Sequence, residues 1–184
     1  MFKKSGMILV LALLAGGGLS VQAGSISIEG KASAFFPTDK VFRDIYKGGA
    51  AFGAEINFGL PGRLSLWVSG DYYQGQGRLT FTREKTKIEI TPVCAGIRLA
   101  FSDSRFRPYV GVGAGYFRYK ESNPIGSVSK GNAGLVAKIG LAAKISGPVF
   151  ADLQADYTYC SVKPADVKAD LGGLRASLGL GIAF

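Results

Sequence analysis

The sequence predicts an all-β fold: an eight-stranded antiparallel up-and-down transmembrane β-barrel. Three observations carry this prediction. Residues 171–184 (LGGLRASLGLGIAF) alternate, with Leu174, Ala176, Leu178, Leu180, Ile182 and Phe184 on one face and Gly173, Arg175, Ser177, Gly179, Gly181 and Ala183 on the other. Period-2 alternation marks a strand, and a tilted membrane strand needs about 9–11 residues. Seven further segments alternate in the same way, and convincing helical periodicity is absent. The only long apolar run stands at the front of the chain and has the form of an export signal.

At that front, Lys3 and Lys4 precede residues 7–15 (MILVLALLA), a Gly-rich stretch and Val21-Gln22-Ala23. A basic start, a short apolar run and small residues at −3 and −1 describe a secretory signal peptide. Residues 1–23 are therefore expected to be removed by cleavage after Ala23, leaving one domain over residues 24–184. A helical anchor would need about 20 apolar residues, more than this run supplies. No lipobox cysteine follows it. Any later crossing must be by strands, because only helices and closed barrels satisfy their backbone polar groups inside a bilayer.

The expected strands follow in order. The first covers residues 25–36. The second, 49–60, ends at the tight turn Pro61-Gly62. The third runs from 63 through 73, with an extension towards 82. The fourth, 85–101, contains Pro92, which cannot donate to a ladder, so a bulge or a lost ladder bond is expected there. After a turn at 102–105 come the fifth (107–120) and sixth (134–146) strands, then Gly147-Pro148, the seventh strand (149–160) and the eighth (171–184). The connections 37–47, 121–132 and 161–170 are longer than those between them, and 77–88 reads as a hairpin extension with its tip at Glu84. Short inner turns and longer outer loops suit a membrane barrel with both termini on the periplasmic side.

One face of these segments is apolar throughout. It includes Ile26, Ile28, Phe52, Ile56, Leu66, Val68, Val93, Ile97, Val112, Leu135, Ile139 and Leu153. A soluble barrel would turn this face inward; a membrane barrel turns it to lipid. The abundance of Leu, Ile and Val on all eight segments, together with the signal peptide and the aromatic ending, favours lipid. Phe35, Phe36, Tyr72, Tyr73, Tyr116, Phe117, Tyr119, Tyr157 and Tyr159 cluster near the expected outer strand ends and read as an interfacial girdle. Ordinary strand propensity of aromatics is the alternative.

The Ala23 cleavage region, the eight alternating segments and the LGLGIAF ending together resemble small bacterial outer-membrane β-barrels of the OmpA/OmpX/OmpW-like class. The resemblance covers residues 24–184. It implies the outer membrane as location, Phe184 as a C-terminal signal for the barrel-assembly machinery, and no catalytic motif. The chain contains no histidine. Enzymatic barrels of the phospholipase, omptin and lipid A-modifying types resemble one another in using histidine as general base, so enzyme activity is not expected. The commonest metal ligand is also missing, and no metal or cofactor site is expected. Asp152 and Asp156 would lie about 13 Å apart on one strand, beyond the roughly 5–9.5 Å of a paired-carboxylate site.

The polar face carries ten charges: Glu29, Glu55, Asp71, Asp152 and Asp156 against Lys31, Arg98, Lys138, Lys144 and Arg175. An eight-stranded barrel is only just wide enough for its own side chains, and buried charges must pair. Trp67 also points inward by register. A charge-balanced, plugged lumen is expected, with an ion path as the alternative. Gly111, Gly113 and Gly115 do not fit a dinucleotide loop and read as space for bulky lumenal neighbours. Cys94 and Cys160 fall at different heights and are expected to be free thiols, although an exported chain permits a disulfide.

Removing Lys3 and Lys4 from the 22 basic residues leaves 20 against 13 acidic ones, a net of +7. Most of the excess falls on the outer rim, at Lys40, Arg43, Lys47, Arg78, Arg83, Lys85, Lys87, Arg118, Lys120, Lys130, Lys163 and Lys168. Such a collar would attract the phosphates of lipopolysaccharide; solvated loop charge is the plain alternative. Nucleic acid is not a partner in this compartment, and the barrel is expected to be a monomer. The function expected is non-enzymatic, structural or surface-interacting, with a narrow channel for ions or small molecules, or a surface adhesin, as alternatives.

Overall fold

The computed structural model describes residues 25–78, 85–124, 126–162 and 169–184. The expected signal peptide with its Ala23 cleavage point lies outside these residues, as do Arg83, Glu84, Lys163 and Lys168. The elements are β1 (Ile26–Pro37), α1 (Lys40–Tyr46), β2 (Gly49–Gly59), β3 (Leu64–Arg78), β4 (Lys85–Ala100), β5 (Phe106–Asn123), β6 (Gly126–Ser146), β7 (Val149–Tyr159), β8 (Ser161–Val162), β9 (Ala169–Asp170) and β10 (Gly173–Ala183). Eight of these strands form a closed barrel in the order β1-β10-β7-β6-β5-β4-β3-β2, and β8 and β9 form a separate two-stranded ribbon. β10 closes the ring on β1 without a break, from Ser27↔Ala183 to Pro37↔Gly173.

The alternating pattern becomes an inside-out distribution of polarity. Leu178 is 68% exposed, Leu135 63% and Ile139 61%, whereas Glu55 and Trp67 are fully buried. A soluble barrel would show the reverse. Only surrounding lipid makes this surface stable, since water would penalise it over every strand. The turns at the inner end are tight, with Gly62 (φ +80°) and Gly147 (φ +52°) in the left-handed region that a Cβ disfavours.

Pro92 interrupts the β3–β4 ladder without shifting its register. Pairs run to Gly70↔Val93 and resume at Tyr73↔Ile90. The expectation there was a bulge or a lost bond; the structure has the lost pairing. The register irregularity lies elsewhere, between Lys144 and Ser146 where β6 meets β7.

Two outer connections differ from the reading above. Residues 37–47 hold a helix, α1, whose N-cap Asp39 accepts a hydrogen bond from the Phe42 amide at 2.9 Å. Phe42 and Tyr46 stand four residues apart on its buried side, a spacing of one helical face. Residues 121–132 are no open loop: β5 and β6 stay paired from Arg118↔Gly131 up to Asn123↔Gly126. Above the bilayer both faces of a ribbon are wet, so the apolar alternation that reveals a strand disappears while the backbone ladder continues.

Candidate functional site: the lumen and the outer rim

Nine of the ten charges assigned to the lumen are buried there: Glu29, Lys31, Glu55, Asp71, Arg98, Lys138, Asp152, Asp156 and Arg175. They form two groups. At mid-barrel the carboxylate of Glu55 on β2 gathers cations from three other strands. The Lys31 (β1) and Lys138 (β6) ammonium groups each donate to its Oε2 at 2.7 Å, and Arg98 (β4) donates through Nη2 to its Oε1. The Lys138 ammonium also lies 3.4 Å from the Trp67 ring centroid, a cation–π contact. The Trp67 indole donates to the Ile97 carbonyl at 3.2 Å.

The indole fits because its neighbours lack side chains. A Cβ on Gly96 or Gly113 would lie 2.7 or 2.6 Å from Trp67 Cζ2, and one on Gly115 would lie 2.4 Å from Cys94 Sγ. Beside this hub, Arg98 stacks on Tyr109 at 3.9 Å, and the Tyr109 hydroxyl donates to Asp152 at 2.7 Å and approaches Gln154 Oε1 at 3.0 Å. Glu29 is the loosest member, with its nearest ammonium, Lys31, at 3.9 Å. The second group lies nearer the outer end. Arg175 bridges Asp156 (2.7 Å) and Asp71 (2.9 Å), and Gln154 donates to Asp156 at 2.7 Å.

Lys144 departs from the expected network. It is exposed at the inner end of β6, where its amide donates to the Arg105 carbonyl and its own carbonyl accepts from Arg105 Nε. Its register is unbroken from Lys138↔Asp156 to Lys144↔Phe150, so it keeps the inward face, but it stands at the inner rim, where water solvates the ammonium. The buried charges among the described residues are therefore five acidic and four basic.

The aromatic girdle also needs correction. Phe36, Tyr72, Tyr116, Tyr157 and Tyr159 are exposed, but Phe35, Tyr73, Phe117 and Tyr119 are buried inside the barrel. Adjacent residues on a strand face opposite ways, so pairs such as Phe35-Phe36 and Tyr72-Tyr73 supply one ring to lipid and one to the lumen. The inward rings meet α1. Phe35 contacts Tyr73 at 4.9 Å between centroids, and Phe42 contacts Tyr46 at 5.0 Å. The Tyr46 hydroxyl donates to Glu121 at 2.8 Å, and Thr86 lies 3.1 Å away. Burial, reinforced by Glu121, pushes the Tyr46 phenol above its ordinary pKa, so it remains a donor. The α1 segment thus packs its apolar side against the inward rings at the outer end of the barrel.

Spaces remain at both ends of the lumen. An inner cavity of about 250 Å³ reaches up to Arg98, Asn57 and Tyr109. At the outer end, the void bounded by Phe35, Tyr73, Phe117, Leu171 and Arg175 is only about 20 Å³. Cys94 and Cys160 are both buried and unbridged. Sequence reasoning missed Tyr109, Gln154, Asn57 and Tyr46. The first three occupy inward registers, so the period-2 pattern could have found them had uncharged polar residues been counted with the charges.

No curated protein matches the chain. Among solved structures it is similar to Neisserial surface protein A (14% identity, TM-score 0.65, covering 88% of this chain and 99% of that one). It is similar to OprG from Pseudomonas aeruginosa (14% identity, TM-score 0.69, 88% and 96%) and to Ail, the attachment invasion locus protein of Yersinia pestis (20% identity, TM-score 0.55, 88% and 99%). At these identities the likeness concerns the fold. A family model described as "Outer membrane protein beta-barrel domain" matches residues 9–184. With the closed eight-stranded ring and the apolar exterior, this match identifies the chain as a member of the outer-membrane β-barrel domain family, resident in the outer membrane.

Proposed function

We propose that this barrel is a closed, non-catalytic element of the outer membrane that acts through its outer rim. It would be exported by residues 1–23, cleaved after Ala23, inserted by the barrel-assembly machinery and work as a monomer. The observation that carries this reading is the packing of the lumen: Glu55 with its three cations lies beside Trp67 at mid-barrel, and α1 packs on the inward rings at the outer end. The lack of histidine in the chain supports a non-catalytic role. Recording from the purified barrel in planar bilayers tests the reading. No steady conductance is expected, and a steady ion current would overturn the plug.

The outward role rests on charge. Lys40, Arg43, Lys47, Lys85, Arg118, Lys120 and Lys130 are all exposed at the outer end, a positive field suited to lipopolysaccharide phosphates or another surface polyanion. An adhesin reading draws on the structural neighbour Ail, one of whose structures holds the heparin analogue sucrose octasulfate. A channel reading draws on the spaces at the inner and outer ends of the lumen. Conductance and cell-adhesion assays on the same preparation discriminate the three.

A further inference from the structure

The outer halves of β4 and β5 carry a feature distinct from the loop collar. Their outward-facing residues pair rung by rung: Val93↔Tyr116, Thr91↔Arg118, Glu89↔Lys120 and Lys87↔Ser122. Val93 and Tyr116 are each 56% exposed and form the last apolar rung of the lipid belt. Rungs on one face are two residues, roughly 7 Å, apart. The belt therefore gives way to guanidinium and ammonium groups within one rung, at the depth where headgroups begin.

The adjoining strand leaves room beside these cations. On β6, Arg118 faces Gly131, Lys120 faces Ser129 and Tyr116 faces Ala133. A Cβ on Gly131 would lie 2.5 Å from the Tyr116 hydroxyl, so the ring lies across the glycine with its polar end turned towards the Arg118 rung. Arg118 Nε donates to Ser129 Oγ at 3.4 Å, which aims the guanidinium along this shelf. The acidic residue of the strip, Glu89, is bound by Lys87 at 2.7 Å. Arg118 and Lys120 remain exposed.

We propose that this strip of β4, β5 and β6 binds the phosphorylated headgroup of an outer-leaflet glycolipid, with Arg118 and Lys120 holding phosphate from the side of the barrel. The occupant is a lipid because the cations continue directly into a face that only acyl chains can cover, formed by Val93, Tyr116, Val112 and Leu135. A soluble anion would leave that part of the strip unused. Guanidinium and ammonium donors to phosphate make the strong, charge-assisted class of hydrogen bond. The proposal rests on the cationic-rim reading above and assigns that contact to the wall, below the loops.

The test uses the folded full chain in detergent micelles, with lipid binding followed by native mass spectrometry. The probes are bisphosphorylated lipid A, its dephosphorylated form and inorganic phosphate. The variants are Arg118→Gln/Lys120→Gln and, in the loop collar, Lys40→Gln/Lys47→Gln, each checked for folding by the mobility of unheated samples. Lipid A is expected to bind about tenfold or more tightly than either other probe. The Arg118/Lys120 pair should lose about tenfold or more, while the loop pair should stay within about twofold, since two charge-assisted bonds are removed in one case and none in the other. If the unmodified chain does not prefer phosphorylated lipid, the cationic-rim reading itself falls. If it does prefer it, but the loop pair carries or shares the loss, or neither pair shows one, the strip is overturned. Inorganic phosphate binding as tightly as lipid A would overturn the lipid as occupant.

Discussion

Replacing Glu55 by Gln is the most direct probe of the lumen. The substitution keeps the volume and removes the charge that Lys31, Lys138 and Arg98 share. Glu55 is fully buried, so water cannot take over. The remaining carboxylates near the hub are poorly placed to compensate: Glu29 reaches Lys31 only at 3.9 Å, and Asp152 is engaged by Tyr109. Removing one partner of a buried ion pair costs roughly 3–5 kcal/mol, two to nearly four orders of magnitude in the folding equilibrium at about 1.4 kcal/mol per decade. Trp67 is the single tryptophan of the chain and touches the hub through Lys138. Its emission therefore reports unfolding at the site of the change, in urea titrations of the barrel in phospholipid vesicles. Adding Lys138→Met to Glu55→Gln removes one stranded cation and should recover part of the loss. A Glu55→Gln barrel within about 0.5 kcal/mol of the unmodified one, the range of ordinary surface changes, would refute the hub, as would a double variant no more stable than the single one.

Other positions give independent readouts. Gly113→Val would drive a side chain into Trp67 and should cost about 1–3 kcal/mol of overpacking, visible as a shifted Trp67 emission and a lower unfolding midpoint. Asp39→Ala removes the N-cap of α1 and about 0.5–2 kcal/mol of local helix stability. Amide exchange at α1 should accelerate while the barrel strands stay protected. Lys144→Glu should leave stability within about 0.5 kcal/mol because the residue is exposed, whereas Lys138→Glu, a charge reversal beside Glu55, should prevent accumulation of the heat-modifiable folded form.

The strands and their two faces were legible because lipid and lumen impose opposite demands on alternate residues. That contrast exists only within the bilayer. Beyond it the β5–β6 ribbon carries Ser, Lys, Gly and Asn on both faces and reads as a loop although its ladder continues. The α1 helix was hidden for a different reason: at seven residues it is too short to show a repeating stripe, and its burial depends on Phe35 and Tyr73 from distant strands. Asp39 followed by Phe42 and Tyr46 was the available signal. Lys144 was misplaced because alternation gives a residue's face and not its depth: it keeps the inward register opposite Phe150 yet stands at the open end of the barrel, exposed. The partners of each charge were equally unreadable. Glu55 meets Arg98 across 43 positions and Lys138 across 83, separations that only closure of the ring brings together.

The charges also bear on how such a ring finds one register. The apolar face alone tolerates sliding in steps of two, because Leu, Ile and Val substitute for one another against fluid lipid. A slide of one residue would be far costlier, since it turns a whole set of side chains to the other face. In β1 it would carry Glu29 and Lys31 into lipid, and a basic residue at the bilayer midplane alone costs about 2–4 kcal/mol. A slide of two keeps every face correct but moves Lys31 roughly 7 Å along the axis, out of reach of Glu55. The hub therefore discriminates among the registers that hydrophobicity leaves equivalent. Its four members sit on β1, β2, β4 and β6, of which only β1 and β2 pair directly, so one carboxylate also checks the alignment of two strands that do not border its own. On this argument the buried hub and the register share a cause: charges shielded from water at mid-barrel must meet one another, and they can all meet in only one alignment of the strands.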